Sequence, residues 1–196
     1  MKPNVFIEYM QKMSYMAFIS ESEFYEEIND LSSKILNNIH PNKLLYDMGN
    51  KRFGEKWAHN HLKNLDSRFK DASADHYDLT FNKIKIEVKA SRANSPALNE
   101  SSKWKRAVPI NSNLPFTMNF MHIFLDDPDV FVLVSVWKDS IGYHVMSNSD
   151  IANNKHTRSY QTEFQMAITN TNFHEFEKFR VEADDIGKVI LSKAEK

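Results

Sequence analysis

The sequence contains no cysteine, which excludes disulfide bonds, thiolate metal sites and a cysteine nucleophile. Only 4 glycines and 6 prolines occur among 196 residues, so fibrous and low-complexity classes are disfavoured. No apolar run approaches the roughly 20 residues of a membrane-spanning helix, and the N-terminal stretch does not have the layout of a signal peptide. We therefore expect a cytoplasmic protein without a membrane partner.

The sequence also has no excess of positive or negative charge: it contains 25 basic and 26 acidic residues, and the net charge is −1. Bulk positive charge therefore cannot attract nucleic acid. Any contact with DNA must come from a local patch, or from a metal ion that offsets an acidic centre. Hydrophobic residues make up 41% of the chain, including 14 Phe, which is enough to fill the core of a folded domain.

The pattern of apolar residues predicts an α/β (α+β) fold, in which helices flank a mixed central β-sheet. We expect a single domain, with an N-terminal helical segment at 1–48 packed on a core at 49–196. The predicted helices span 5–18, 21–39, 51–66 and 173–181, and the predicted strands span 77–81, 84–89, 130–137, 143–146 and 165–169. In the third of these helices, Ala58, Leu62 and Leu65 belong to an apolar stripe along one face.

The segment 77–89, YDLTFNKIKIEVK, alternates apolar and polar residues on both sides of Asn82-Lys83. This pattern predicts a hairpin with a two-residue turn. The pairing then places Asp78 opposite Glu87, with Lys89 on the same face. Two facing carboxylates repel each other, and a divalent cation bound by both would offset the repulsion. A solvated hairpin face with mixed charges would contain the same residue types.

Asp78, followed after eight residues by Ile86-Glu87-Val88-Lys89, resembles the active-site hairpin of the PD-(D/E)XK nucleases, the restriction-endonuclease-like superfamily. The resemblance covers roughly residues 50–92. It implies a restriction-endonuclease-like core and a metal site at Asp78, Glu87 and Val88. The expected ion is Mg²⁺, with Mn²⁺ as a possible substitute. Lys89 would serve the attacking water.

Two positions near this hairpin bear on the resemblance. The family often has a further acidic residue on the helix ahead of the hairpin, and Glu55 occupies the similar position here. Tyr77 stands where the family has proline before the aspartate. Asp75, three residues earlier, remains an alternative to Asp78, which we prefer because the hairpin pairing places it opposite Glu87.

A long loop is predicted at 90–118, where three prolines interrupt a polar stretch. It contains a basic and aromatic cluster that could track phosphates and stack on a base. His59 and His61, two residues apart on a helix, point to different sides, so we expect a core-edge and a surface histidine rather than a metal pair. The predicted DNA-binding residues are Ser91, Arg92, Lys103, Trp104, Lys105 and Arg106.

The function implied by the resemblance is Mg²⁺-dependent hydrolysis of phosphodiester bonds in double-stranded DNA. The short chain, the long loop and the balanced charge favour a sequence-specific type II restriction enzyme, which would act as a homodimer. Two alternatives remain, because the same fold supports several functions. One is a structure-specific repair or recombination nuclease, and the other is a catalytically silent DNA-binding module.

Overall fold

The computed structural model describes residues 53–72, 77–98, 108–137, 140–160 and 163–194. The predicted N-terminal helical segment 1–48, Asp75 and the predicted DNA-contacting cluster at 103–106 lie outside these residues. The helix predicted at 51–66 is present as α1, Phe53–Leu65. Ala58 and Leu62, four residues apart, are fully buried on its inner face, whereas Leu65, the last helical residue, is 37% exposed.

A six-stranded mixed sheet forms the centre of the molecule, as the sequence predicted in outline. Its strand order is β1-β2-β3-β5-β6-β9, in which β3 and β5 run parallel and the other neighbours antiparallel. The strands of this sheet are β1 Phe69–Asp71, β2 Leu79–Phe81, β3 Ile84–Arg92, β5 Val130–Val136, β6 Ile141–Ser147 and β9 Arg180–Val181.

The hairpin between β2 and β3 has the predicted turn and register. Thr80 pairs with Lys85, and Phe81 pairs with Ile84. Asn82 and Lys83 both have positive φ angles, 49° and 72°. Two residues with positive φ are what a type I′ turn requires, and this turn type matches the twist of paired strands. The local sequence was therefore sufficient to predict this hairpin.

A second, three-stranded antiparallel sheet was not predicted. It has the order β4-β8-β7, with β4 at Thr117–Ile123, β7 at Thr157–Tyr160 and β8 at Glu163–Thr169. The strand expected at 165–169 is thus confirmed as β8, but it pairs with β4 and β7 rather than with the central sheet. The loop predicted at 90–118 is shorter at both ends, because β3 continues to Arg92 and β4 begins at Thr117. An isolated bridge joins Asn94 to Thr117.

Strand β5 lies between two hydrophobic cores and contributes residues to both. All seven of its residues are buried, as the continuous apolar run predicted. Val130, Val132 and Val134 pack with α1 and the C-terminal helix on one face. Phe131 and Leu133 pack on the other face with residues of the three-stranded sheet. The molecule therefore has helices, the central sheet and the second sheet as three layers.

The C-terminal region differs from the helix predicted at 173–181. A short helix, α3 at Phe173–Phe176, continues as a 3₁₀ turn at Glu177–Phe179, and residues 180–181 then form β9 beside β6. The pairing covers backbone groups of β6 that a free sheet edge would expose. The other helices are α2 at Asn148–Ala152 and α4 at Ile186–Ala194, and no described helix is long and apolar enough to cross a membrane.

Candidate active site

Asp78, Glu87 and Lys89 come together at the end of the β2–β3 hairpin. Asp78 lies just before β2, and its backbone N–H donates to the Ile86 carbonyl at 2.9 Å. Its carboxylate turns towards β3, where Oδ2 accepts the Val88 N–H at 2.9 Å. The side chain of Asp78 thus extends the hydrogen bonding to β3 just ahead of the first residue of β2, which fixes its position beside Glu87.

Glu87 and Lys89 form an ion pair with little access to solvent. The Lys89 Nζ donates to Glu87 Oε1, and the two side chains are only 13% and 12% exposed. Residues two apart on a strand project from the same face, which explains why they meet. The ammonium partly offsets the negative charge of the two carboxylates, so the charged groups of the site contact one another more than they contact solvent.

The two carboxyls differ in their electrostatics. Burial raises the pKa of Glu87 to about 7, and the nearby Asp78 carboxylate acts in the same direction against the lowering effect of Lys89. Burial also raises the pKa of Asp78, but the His59 imidazole, the Val88 N–H and Lys89 together hold it below its usual range. Asp78 therefore carries the negative charge more readily than Glu87 does.

His59 is a member of this site that the sequence analysis did not identify. It projects from α1, is 9% exposed, and places Nε2 at 3.5 Å from Asp78 Oδ2. This distance is at the outer limit of hydrogen bonding, and Nε2 has no hydrogen-bond partner within the described part of the chain. A sequence signal existed, since His59 lies one helical turn after Glu55, the position expected to contribute to the site.

His61 contacts a different part of the sheet from His59, as expected for residues two apart on a helix. Its Nδ1 shares a hydrogen bond with the hydroxyl of Tyr143, on β6, and burial lowers the pKa of the ring to about 4. Neither histidine is the surface residue that was expected of one of the two, since His61 is half-buried and His59 is 9% exposed. The contact attaches α1 to the central sheet, and in this way it helps to hold His59 in place.

The remaining predicted residues have different positions. Val88 buries its side chain in the core, so only its backbone faces Asp78. Ser91 Oγ accepts the Asn119 N–H at 2.8 Å. Arg92 is 6% exposed, and this burial favours a packing role for its side chain. The contact of Arg92 with a DNA phosphate stays a prediction. The side chain of Glu55 lies outside the described residues.

The fit of these residues to a divalent cation rests on two features. Asp78 and Glu87 place two buried carboxyls side by side, and His59 adds a buried ring nitrogen without a partner. Carboxylate oxygens and imidazole nitrogen are both metal ligands. The described residues contain no group of three such side chains that could hold a metal ion, and Glu87 is engaged with Lys89.

Comparison with known protein families and with curated proteins finds no match to this chain. The case for a function therefore rests on the hairpin and the residues around it.

Proposed function

We propose that this protein is a metal-dependent nuclease that hydrolyses phosphodiester bonds in double-stranded DNA. The observation that carries the proposal is the convergence of Asp78, Glu87 and Lys89 at one end of the β2–β3 hairpin. A hairpin followed by a parallel strand, with α1 packed on the sheet, also supports a restriction-endonuclease-like core.

Asp78 and Glu87 would hold the cation, together with the backbone carbonyl of Val88. That carbonyl projects to the same edge of β3 as the Val88 N–H, which contacts Asp78. When bound, Mg²⁺ or Mn²⁺ supplies Lewis-acid stabilisation of the phosphoryl oxygens and lowers the pKa of a coordinated water.

Lys89 would have the role of positioning the reacting groups. Its ammonium contacts the Glu87 carboxylate, and both side chains are largely shielded from solvent. The three N–H donors of the ammonium can orient a water or a phosphate oxygen. Burial strengthens such contacts because little water competes for the charge. Asp78, which stays ionised more readily than Glu87, would anchor the cation.

We further propose that the enzyme is of the type II restriction class and acts as a homodimer. A compact chain with one site cuts two strands most simply as a symmetric pair, and two-fold symmetry matches palindromic DNA. The net charge of −1 suits a specific binder better than a non-specific one. A structure-specific nuclease and a silent DNA-binding module are the competing functions.

Incubation of mixed-sequence plasmid with the purified protein and Mg²⁺ or Mn²⁺ separates these functions. Discrete fragments support a restriction enzyme, nicks confined to branched or flapped DNA support a structure-specific nuclease, and DNA binding without cleavage supports the silent module. Asp78→Asn and Glu87→Gln should each abolish cleavage, since each removes a metal ligand worth several kcal/mol of transition-state stabilisation. Glu182→Gln, at an exposed carboxylate, is the matched control. Near-normal cutting by either site variant contradicts the proposal.

A further inference from the structure

We propose that His59 is a third protein ligand of the cation, through Nε2, and that it biases the site towards a first-row transition ion such as Mn²⁺ over Mg²⁺. This inference deepens the proposed function and rests on it. It assigns a role to a helix residue outside the hairpin that supplies the two carboxylates.

The first observation is the state of the ring nitrogen. His59 is 9% exposed, and its Nε2 is buried without a hydrogen-bond partner among the residues that the structure describes. Buried polar atoms are nearly always paired, because an unpaired one has lost its hydration without compensation. The polar group that faces Nε2 is the Asp78 carboxylate, 3.5 Å away, and a cation bound by both would satisfy the ring nitrogen.

The second observation is the distance to Asp78. Nε2 lies 3.5 Å from Asp78 Oδ2, which is too long for a good hydrogen bond. Two neighbouring ligands of a six-coordinate ion, at about 2.1 Å each and about 90° apart, are about 3.0 Å from each other. The observed spacing is about 0.5 Å longer, so a small movement of the ring would bring both groups onto one cation.

The third observation is that the helix is anchored to the sheet on either side of His59. Ala58 and Leu62 on the same helix are fully buried against the sheet. His61, half a turn further along, contacts Tyr143 of β6. These contacts fix the part of the helix backbone that carries His59, so the ring is kept within reach of Asp78.

The preference for Mn²⁺ follows from the ligand types. Mg²⁺ favours an all-oxygen environment and binds nitrogen poorly, whereas first-row transition ions bind imidazole well. A site with two carboxylates and one imidazole therefore favours Mn²⁺ more than a site with carboxylates alone. Binding of the cation would also require Glu87 to loosen its pair with Lys89, since the described His, Asp and Glu side chains form no group of three that could hold a metal ion as they stand.

The test is a titration of the full-length protein with Mn²⁺, followed by electron paramagnetic resonance, which reports free Mn²⁺ directly. Loss of a residue that only supports a metal ligand weakens binding by about 10–100-fold, and we expect at least this for His59→Ala. Mg²⁺ affinity, measured by competition, should fall less. In the wild-type protein the bound Mn²⁺ should show nitrogen modulation of its electron spin echo, and His59→Ala should lose it.

Two further variants make the result specific. His59→Gln keeps much of the side-chain volume but has no ring nitrogen, so it should also lose the modulation, and its circular dichroism checks the fold. His174→Ala removes an exposed histidine, 71% exposed, beside Glu175 and should change nothing. Loss of the nitrogen signal in His174→Ala would place the ion at the surface and overturn the proposal.

The failure of this inference differs from failure of the proposed function. If His59→Ala keeps both the affinity and the modulation while Asp78→Asn loses binding, the carboxylate site stands and His59 is only a neighbour of Asp78. If Asp78→Asn also binds Mn²⁺ normally, the metal site itself is wrong and the nuclease proposal falls with it.

Discussion

Lys89 is the residue on which the charge balance of the site depends. It is the cation paired with Glu87, and Glu87 lies beside the second carboxylate, Asp78. In the absence of metal, its removal leaves two buried carboxyls without a counter-charge. Breaking a buried ion pair on one side typically costs about 3–5 kcal/mol, although protonation of Glu87 reduces the loss.

We predict that Lys89→Met destabilises the metal-free protein by about 2 kcal/mol, measured by urea unfolding in EDTA. The variant should lose DNA cleavage but still bind DNA with Ca²⁺ present, because Lys89 is assigned to the reaction and not to docking. Lys188→Met, at an exposed position of α4, is the control. Lost binding together with normal turnover at saturating DNA would reverse the assignment.

His144 is a second buried histidine, on the opposite side of the central sheet from α1. It is fully buried, stacks on Phe176 at 3.8 Å, and its Nε2 lies 3.0 Å from Glu177 Oε1. Burial lowers the pKa of this ring, and the attraction of Glu177 only partly offsets that effect. The ring is therefore neutral in the folded protein at pH values where the unfolded chain binds a proton.

This difference in the protonation of His144 determines whether the stability of the fold rises or falls with pH. Below a pH of about 6.5, the histidine of the unfolded chain binds a proton that the buried His144 ring does not. The contribution of this ring to stability is therefore complete above that pH and is lost as the pH decreases. His144→Gln should lower stability at pH 7.5 but flatten the decline between pH 6.5 and 5. Urea midpoints of both proteins across this range provide the measurement. Parallel curves for the two proteins would show that another group is responsible.

Among the elements, the β2–β3 hairpin carries a conformational cost at its turn. Lys83 has a φ of 72°, a region that residues with a Cβ avoid by about 1–2 kcal/mol. Glycine adopts this conformation freely, and Asn-Gly is the preferred pair for a type I′ turn. We predict that Lys83→Gly stabilises the protein by about 0.5–1 kcal/mol in thermal unfolding, after the entropic cost of glycine. Lys83→Val should destabilise it instead.

The hairpin was predictable because its pattern is local. Alternation from 77 to 89 and the two turn residues specify the register without reference to the rest of the chain. The second sheet was not predictable, because β4 finds its partner β8 more than 40 residues later. The same applies to His59, whose distance from Asp78 depends on how α1 packs on the sheet, and sequence spacing does not contain that information.

At the scale of the whole molecule, β5 joins the two cores, and the layers should therefore unfold together. Its even-numbered residues pack against α1 and α4, and Phe131 and Leu133 pack against the second sheet. A strand buried on both faces transmits the loss of either core to the other, since the interior is close-packed and cannot deform locally. The β2–β3 hairpin, whose Ser91 Oγ also accepts the Asn119 N–H of β4, is in this way coupled to the second sheet.

We predict that Phe131→Ala destabilises the protein by about 3–5 kcal/mol through loss of a fully buried ring. If the layers are one cooperative unit, amide hydrogen exchange should accelerate by the same factor in β2 and in β8, which belong to different sheets. Glu182→Gln should leave both rates unchanged. Faster exchange in β8 with unaltered protection in β2 would mean that the second sheet opens independently, and the hairpin with its carboxylates would then keep its geometry whatever happens to the outer layer.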